Sequence, residues 1–134
     1  MSKFWFRSSQ VTFAEGEDAE TSPGRYGKAV ASWLASELQG HGYSASVSAE
    51  DWGWRIDCTN EPCPIWIGCG NVDEENNERP NTESVVWHLF VETDVPFFKK
   101  LFGKLDPTQE LEKLCNTVKS ILSATDHITE VEEP

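Results

Sequence analysis

Apolar side chains occupy every second position in several short runs of this chain, and this period of two is typical of strands that bury one face. The clearest run spans residues 52–58, where four apolar side chains share one face and Arg55 and Asp57 take the other. The four are Trp52, Trp54, Ile56 and Cys58. Weaker runs of this kind lie at 3–13, 43–48, 65–70 and 84–92. We expect the runs at 43–48 and 52–58 to pair as a hairpin.

Two other segments repeat apolar residues at intervals of three and four, which is the spacing of an amphipathic helix. Ser22 and Pro23 predict the cap and first turn of one helix, which ends near Gly40. Asp106 and Pro107 predict the start of the other. The two stripes are Tyr26, Ala29, Val30, Trp33, Leu34 and Leu38, and Leu111, Leu114, Cys115, Val118, Ile121 and Leu122. The order of elements predicts an α+β two-layer sandwich, with a mostly antiparallel sheet of four to five strands and two main helices on one face.

The length of 134 residues, without an internal linker, predicts a single α+β domain over residues 1–125 and an acidic flexible tail at 126–134. The stretch 15–20 is almost wholly polar, so we expect it to lie in water. No apolar run approaches the roughly 18 residues of a membrane span, and the N-terminus lacks a secretory leader. These features predict a cytoplasmic protein that makes no membrane contact.

Acidic residues outnumber basic ones by 23 to 11, which gives a formal net charge of −12. The excess is concentrated in residues 29–98, where Arg55 and Arg79 are the only Lys or Arg residues. A protein that grips a phosphate backbone draws on many Lys and Arg contacts, so direct binding of nucleic acid is not expected. The charge favours a basic protein partner instead.

Four cysteines, Cys58, Cys63, Cys69 and Cys115, are expected to be free thiols in a reducing compartment. Three of them and His88 are potential zinc ligands, but the spacing C-x4-C-x5-C lacks the paired C-x2-C of strong zinc sites. We therefore expect no metal and no cofactor. Cys69 lies between two glycines and has His88 as a possible base, which makes these two the candidates for a nucleophilic site. Buried roles in the core are the alternative for both, and the residues favour a protein that is not an enzyme.

Carboxylates lie next to large aromatic side chains in the middle of the chain, a combination that protein interfaces use for affinity and steering. One group is Glu50, Asp51 and Trp52. A second is the acid-rich loop 71–83, which is longer than a hairpin requires. The predicted partner-binding residues are Glu50, Asp51, Trp52, Asp73, Glu74, Glu75 and Glu78.

Three strings of residues resemble those of small bacterial proteins of unknown function. They are ETSPGRYGK at 20–28, EDWGW at 50–54 and GCGN at 68–71, and the resemblance covers about the middle half of the chain. It implies a bacterial or bacteriophage source. It implies no activity and assigns no functional residue.

Three functions are compatible with these patterns. The first is a small acidic cytosolic binding or inhibitor protein that engages a basic partner protein, as the immunity partner of a toxin does. The second is an acidic nucleic-acid mimic, such as a phage inhibitor of a defence complex. The third is a small enzyme or ligand-binding protein that uses Cys69 and His88. The sequence does not identify the partner or the oligomeric state.

Overall fold

Six strands and two α-helices form the part of the chain that the structure describes. The structure, a computed structural model, describes residues 2–11, 13–60, 64–72, 85–93 and 107–134. The strands are β1 (Lys3–Ser8), β2 (Ser46–Glu50), β3 (Gly53–Thr59), β4 (Ile65–Asn71), β5 (Trp87–Thr93) and β6 (Ile128–Glu130). The helices are α1 (Lys28–Gly40) and α2 (Thr108–Ala124), and a short 3-10 turn spans Glu17–Ala19.

All six strands belong to one sheet, in the order β2-β3-β4-β5-β1-β6, and every neighbouring pair is antiparallel. The α+β class and the β2–β3 hairpin are confirmed. The prediction of four to five strands is wrong, because the sheet has a sixth strand, β6. β6 lies inside the segment 126–134 that the sequence predicts as a tail. β6 pairs with β1, and the backbone N–H of Ser9 donates to the carbonyl of His127 beside it. The acidic composition of residues 126–134 does not indicate a strand. β6 forms by pairing with the edge of β1.

One face of the sheet is apolar and buried. Trp54, Ile56 and Cys58 of β3 take this face, as the alternation predicts. Their neighbours on the other strands continue it, namely Phe4, Phe6, Ile65, Ile67, Cys69, Trp87, Leu89 and Val91. Both helices contribute buried residues to this core, which include Val30, Leu34 and Leu38 of α1 and Leu114, Val118 and Leu122 of α2. In the described segments, no helix is both long and apolar enough to cross a membrane.

Helix α1 begins at Lys28, five residues after the start predicted from Ser22 and Pro23. The carboxylate of Glu17 determines this start, because it accepts hydrogen bonds from the backbone N–H groups of Gly27 (3.2 Å) and Lys28 (3.0 Å). It also accepts one from Ala14 at 2.9 Å. A carboxylate at this position satisfies amides that the helix leaves unpaired and interacts favourably with the helix dipole. Glu17 is therefore buried, contrary to the prediction that residues 15–20 lie in water.

We predict that Glu17→Ala lowers the free energy of unfolding by about 2 kcal/mol, because buried backbone donors lose their acceptor. Urea denaturation followed by circular dichroism measures the change. Glu37→Ala is the matched control, since Glu37 is exposed on the same helix and should change stability by less than about 0.5 kcal/mol. Equal effects of the two substitutions would contradict this role for Glu17.

Candidate functional site

Aromatic side chains gather on the opposite, outer face of the sheet. Trp5 stacks on His88, with ring centroids 4.9 Å apart and planes within 3° of parallel. Phe90 contacts Trp52 at 5.3 Å and Trp66 at 5.9 Å. His88 lies 5.4 Å from Phe90 and joins the two groups. We call these five residues the outer aromatic cluster; they come from β1, β4, β5 and the turn between β2 and β3.

Two glycines of β4 lie on this face and have different roles. A Cβ at Gly68 would overlap the ring of Phe90, so the ring fills the space that the glycine leaves. A Cβ at Gly70 would meet the carbonyl oxygen of Trp52 at 3.6 Å, which is an ordinary contact. A Cβ would therefore fit at position 70 without a clash, and the glycine leaves the space above it unfilled.

A groove of about 440 Å³ lies beside the cluster, a volume within the range of small-ligand pockets. Gly70 lines it together with residues from the cluster and from two further segments, namely Trp5, Trp52, His88, Phe90, Arg25 and Glu133. We call it the outer groove. Arg25 precedes α1, whereas Glu133 follows β6 and lies on the β1 side of the sheet.

The three strings that carry the resemblance meet at the edge of this groove. Gly27 and Gly53 both approach the backbone of Cys69, and a Cβ at Gly53 would lie 2.5 Å from its carbonyl oxygen. The side chain of Asn71 accepts a hydrogen bond from the Tyr26 amide (2.9 Å) and donates one to the Gly24 carbonyl (3.0 Å). These contacts hold the loop before α1, the β2–β3 turn and the end of β4 together. We call this meeting point the glycine junction.

Trp52 does not lie on the core face, although the alternation places it there. It occupies the β2–β3 turn and is 39% exposed, which makes it the most exposed large hydrophobic side chain among the described residues. Glu50 is half-buried at the end of β2, and Asp51 is exposed in the turn. These three predicted partner-binding residues, which are consecutive in the chain, lie at the end of β2 and in the turn. The others, Asp73, Glu74, Glu75 and Glu78, lie outside the described residues.

Cys69 and His88 lie on opposite faces of the sheet. Cys69 is paired with Leu89 and is fully buried in the core, whereas His88 is paired with Gly70 and points to the outer face. The proposed thiol–imidazole pair is therefore not formed, because one residue of offset in a strand reverses the direction of the side chain. Burial raises the pKa of Cys69 well above the usual thiol range.

The surroundings of His88 disfavour its protonated form. Burial lowers the pKa of its imidazole, the positive charge of Lys3 lowers it further, and Glu133 opposes the change. Its Nε2 atom is buried and has no hydrogen-bond partner among the described residues.

The residues considered for zinc do not converge. Cys58 and Cys69 point into the core, His88 points away from it, and Cys63 lies outside the described residues. Within the described ranges, no group of three or more His, Cys, Asp or Glu side chains is placed to hold a metal ion. Cys58, Cys69 and Cys115 are free thiols.

Most of the outer groove escapes prediction from the sequence. Trp5, Trp66 and Phe90 have the pattern of ordinary strand residues. Arg25 lies in the string at 20–28, to which no function is attached, and Glu133 belongs to no motif. One signal was available: the run 84–92 is apolar on both faces, so a second surface of the sheet must be covered or used. The glycines at 68 and 70 mark where another group approaches that surface.

We predict that Cys58 and Cys69 resist alkylation by iodoacetamide in the native protein. Burial, followed by the neighbouring carboxylate of Asp57, raises the pKa of Cys58 to about 12 from 9.0, which lowers its thiolate fraction at neutral pH by about a thousandfold. Half-buried Cys115 is the internal control and should react faster than either. Peptide mapping after timed alkylation, with and without urea, gives the three rates. Native Cys69 reacting as fast as in urea would contradict its placement in the core.

Comparisons of this chain with protein-family models, with curated proteins and with solved structures find no match. No relative supplies a function that could be transferred to the outer groove or to the β2–β3 turn. The described residues form an aromatic, partly exposed face beside an acidic turn.

Proposed function

We propose that this protein is a small binding or inhibitor protein that engages a basic partner protein, of the toxin-immunity type, through the β2–β3 turn and the adjoining outer face. The observation that carries the proposal is the exposure of Trp52 next to Asp51. A large aromatic side chain that remains 39% exposed, while its other contacts hold it in place, is suited to anchor a partner.

Trp52 is positioned before any partner arrives. Its ring rests on Phe90 at 5.3 Å and on Trp66 at 5.8 Å, so it loses little side-chain entropy on binding. The remaining surface of the ring is apolar and gains free energy when a partner covers it. This combination of fixed geometry and exposed area is typical of interface hot spots.

Charge supports a basic partner. Glu50 and Asp51 flank the tryptophan, and the whole chain has a net charge of −12. Carboxylates at the rim of an interface raise the association rate with a positive surface and disfavour acidic proteins. Their contribution to the affinity itself is smaller. Binding should therefore weaken as the salt concentration rises.

The described residues support binding over catalysis. Ser8 and His127 form a hydroxyl–imidazole pair, with Oγ 2.8 Å from Nδ1. However, Ser8 Oγ also accepts hydrogen bonds from the amides of Gln10 (3.2 Å) and Val11 (2.8 Å). Both oxygen lone pairs are thus engaged in holding the end of β1 beside His127, so the pair serves the structure. Burial raises the thiol pKa values of Cys58 and Cys69, which disfavours both residues as nucleophiles.

The cytoplasm is the compartment that we propose for this activity. Free thiols at Cys58, Cys69 and Cys115 are the form that a reducing compartment maintains.

We predict that Trp52→Ala weakens binding of the partner at least about thirtyfold, which corresponds to about 2 kcal/mol. The immobilised protein is first used to capture proteins from a bacterial lysate at low and moderate salt. The affinity of the purified basic protein for each variant is then measured by calorimetry. The double variant Glu50→Lys/Asp51→Lys should also lose affinity, mainly through a slower association rate.

Glu37→Lys/Glu112→Lys is the matched control, since it changes the net charge equally at exposed positions on α1 and α2. It should retain most of the affinity. The proposal fails when no basic protein is captured, or when Trp52→Ala binds like the wild type. A partner that DNA displaces from the wild-type protein would indicate the nucleic-acid mimic instead.

A further inference from the structure

β2 forms one edge of the sheet, and no strand of the described segments pairs with its outward side. Natural sheets protect such edges with lysine, proline, bulges or very short strands, because open backbone groups pair readily with another chain. The opposite edge is protected, since β6 is three residues long and its Glu130 pairs with Lys119 at 2.7 Å. β2 has five residues, contains no lysine or proline, and pairs with β3 in an unbroken register.

The alternation of hydrogen bonds in the sheet determines which backbone groups of β2 point outward. In an antiparallel pair, every second residue of a strand bonds to the neighbour on one side. The Val72 amide donates to the Val86 carbonyl at 2.9 Å, so positions 66, 68 and 70 of β4 bond to β5, and positions 67 and 69 bond to β3. Positions 53, 55 and 57 of β3 then bond to 50, 48 and 46 of β2. The N–H and C=O groups of Val47 and Ala49 therefore point away from the sheet.

These outward groups have no hydrogen-bond partner in the part of the chain that the structure describes. Ala49 is exposed and Val47 is half-buried, so the edge is accessible. The two residues provide two donors and two acceptors, about 7 Å apart along the strand. The backbone groups of another extended strand repeat at the same interval.

We propose that an extended, basic segment of the partner protein adds to the sheet as an antiparallel strand beside β2, with a lysine or arginine side chain opposite Glu50. This inference rests on the proposed function, because it states how the basic partner is held next to the β2–β3 turn. Backbone hydrogen bonds to Val47 and Ala49 hold the segment, and the carboxylates at the end of β2 select its charge.

Charge at the end of β2 favours a basic segment over a second copy of this chain. Side chains at 46, 48 and 50 face the added strand in non-hydrogen-bonded pairs, where side chains lie closest together. Asp57 is paired with Arg55 at 2.9 Å, whereas Glu50 and Asp51 have no cationic partner among the described residues. Two copies of this chain, each with a net charge of −12, would repel one another.

The added strand and Trp52 make separate contacts with the partner. The ring of Trp52 rests on Trp66 of β4 and Phe90 of β5, whereas the added strand lies on the far side of β2. Strands are spaced about 4.8 Å apart, so an interface of ordinary size covers both places. A substitution can therefore remove one contact and leave the other.

The test uses a short synthetic peptide, with blocked ends, in which lysine alternates with valine. Lysine opposite Glu50 turns the valine N–H groups toward β2 and the lysine N–H groups away from it. N-methylation of the valines therefore blocks the hydrogen bonds to β2, and N-methylation of the lysines is the matched control. A fourth peptide has glutamate in place of lysine.

Each peptide is titrated into the ¹⁵N-labelled full chain, and NMR gives the affinity and the amide hydrogen-exchange rates. We expect the lysine peptide and its lysine-methylated form to slow exchange of the Val47 and Ala49 amides at least about tenfold. The Ser48 and Glu50 amides, already bonded to β3, should change less. The valine-methylated and glutamate peptides should bind at least about tenfold more weakly.

Two substitutions locate the contact. Ala49→Pro removes an outward N–H and takes no hydrogen bond from β3, so it should weaken binding of the lysine peptide at least about tenfold. Ala49→Val is its matched control, because it keeps the N–H group. Glu50→Gln should weaken binding about threefold, and Glu37→Gln, at an exposed position on α1, should not. If Ala49→Pro disturbs the fold, the two methylated peptides decide with the wild-type protein.

Equal binding of the two methylated peptides, or no binding of the lysine peptide, would overturn the inference. Slow exchange of Val47 and Ala49 in the free, dilute monomer would also overturn it, because another part of this chain would then cover the edge. Slow exchange that appears only in a dimer, detected by sedimentation, would assign the edge to a second copy and reject the basic segment.

The proposed function is judged separately with the captured partner. A partner lost in Trp52→Ala but retained in folded Ala49→Pro supports the proposed function and rejects strand addition. A partner retained in Trp52→Ala but lost in Ala49→Pro, with the lysine peptide bound at β2, supports strand addition and rejects Trp52 as the anchor.

Discussion

The backbone of Cys69 is the contact point on which the rest of the site depends. Gly27 and Gly53, from the loop before α1 and the β2–β3 turn, both lie so close to it that a side chain at either position would press on the strand. Because the turn carries Trp52 and the loop carries Arg25, this one close approach determines where both residues stand relative to β4. Asn71 and Glu17 then satisfy the amides and carbonyls that the tight packing would otherwise leave unpaired.

The two faces of the sheet differ in burial and in chemistry. On the inner face, β4 and β5 contribute the fully buried Ile67, Cys69 and Leu89. Burial raises the pKa of the Cys69 thiol, which lowers its reactivity. On the outer face the same two strands present Trp66, His88 and Phe90, which are only partly covered. An antiparallel sheet needs cover on one face alone. The second face is therefore available for an aromatic surface, and the acidic excess keeps such a surface soluble.

Local patterns are predictable from this sequence, and contacts between distant segments are not. The stripe of Val30, Leu34 and Leu38 and the alternation of Trp54, Ile56 and Cys58 depend on neighbours in the chain, so burial and element type follow directly. The alternation predicts the core face for Trp52 wrongly, because the turn that precedes Gly53 interrupts the strand pattern. The burial of Glu17 is not predicted, because the amides that its carboxylate caps lie ten and eleven positions later in the chain. The groove depends on the registers Gly70–His88 and Trp5–His88, which no local pattern reveals.

β1 has neighbours that come late in the chain. Its two partners in the sheet are β5 and β6, and its side-chain contact with His127 joins residues 119 positions apart. During synthesis on a ribosome, β1 therefore emerges well before either of its partner strands, while the strands of the β2–β3–β4 meander are close together in sequence. Such long-range pairing slows folding. It also makes formation of the Trp5–His88 stack a late event, so the outer aromatic cluster is completed only after most of this chain has been made.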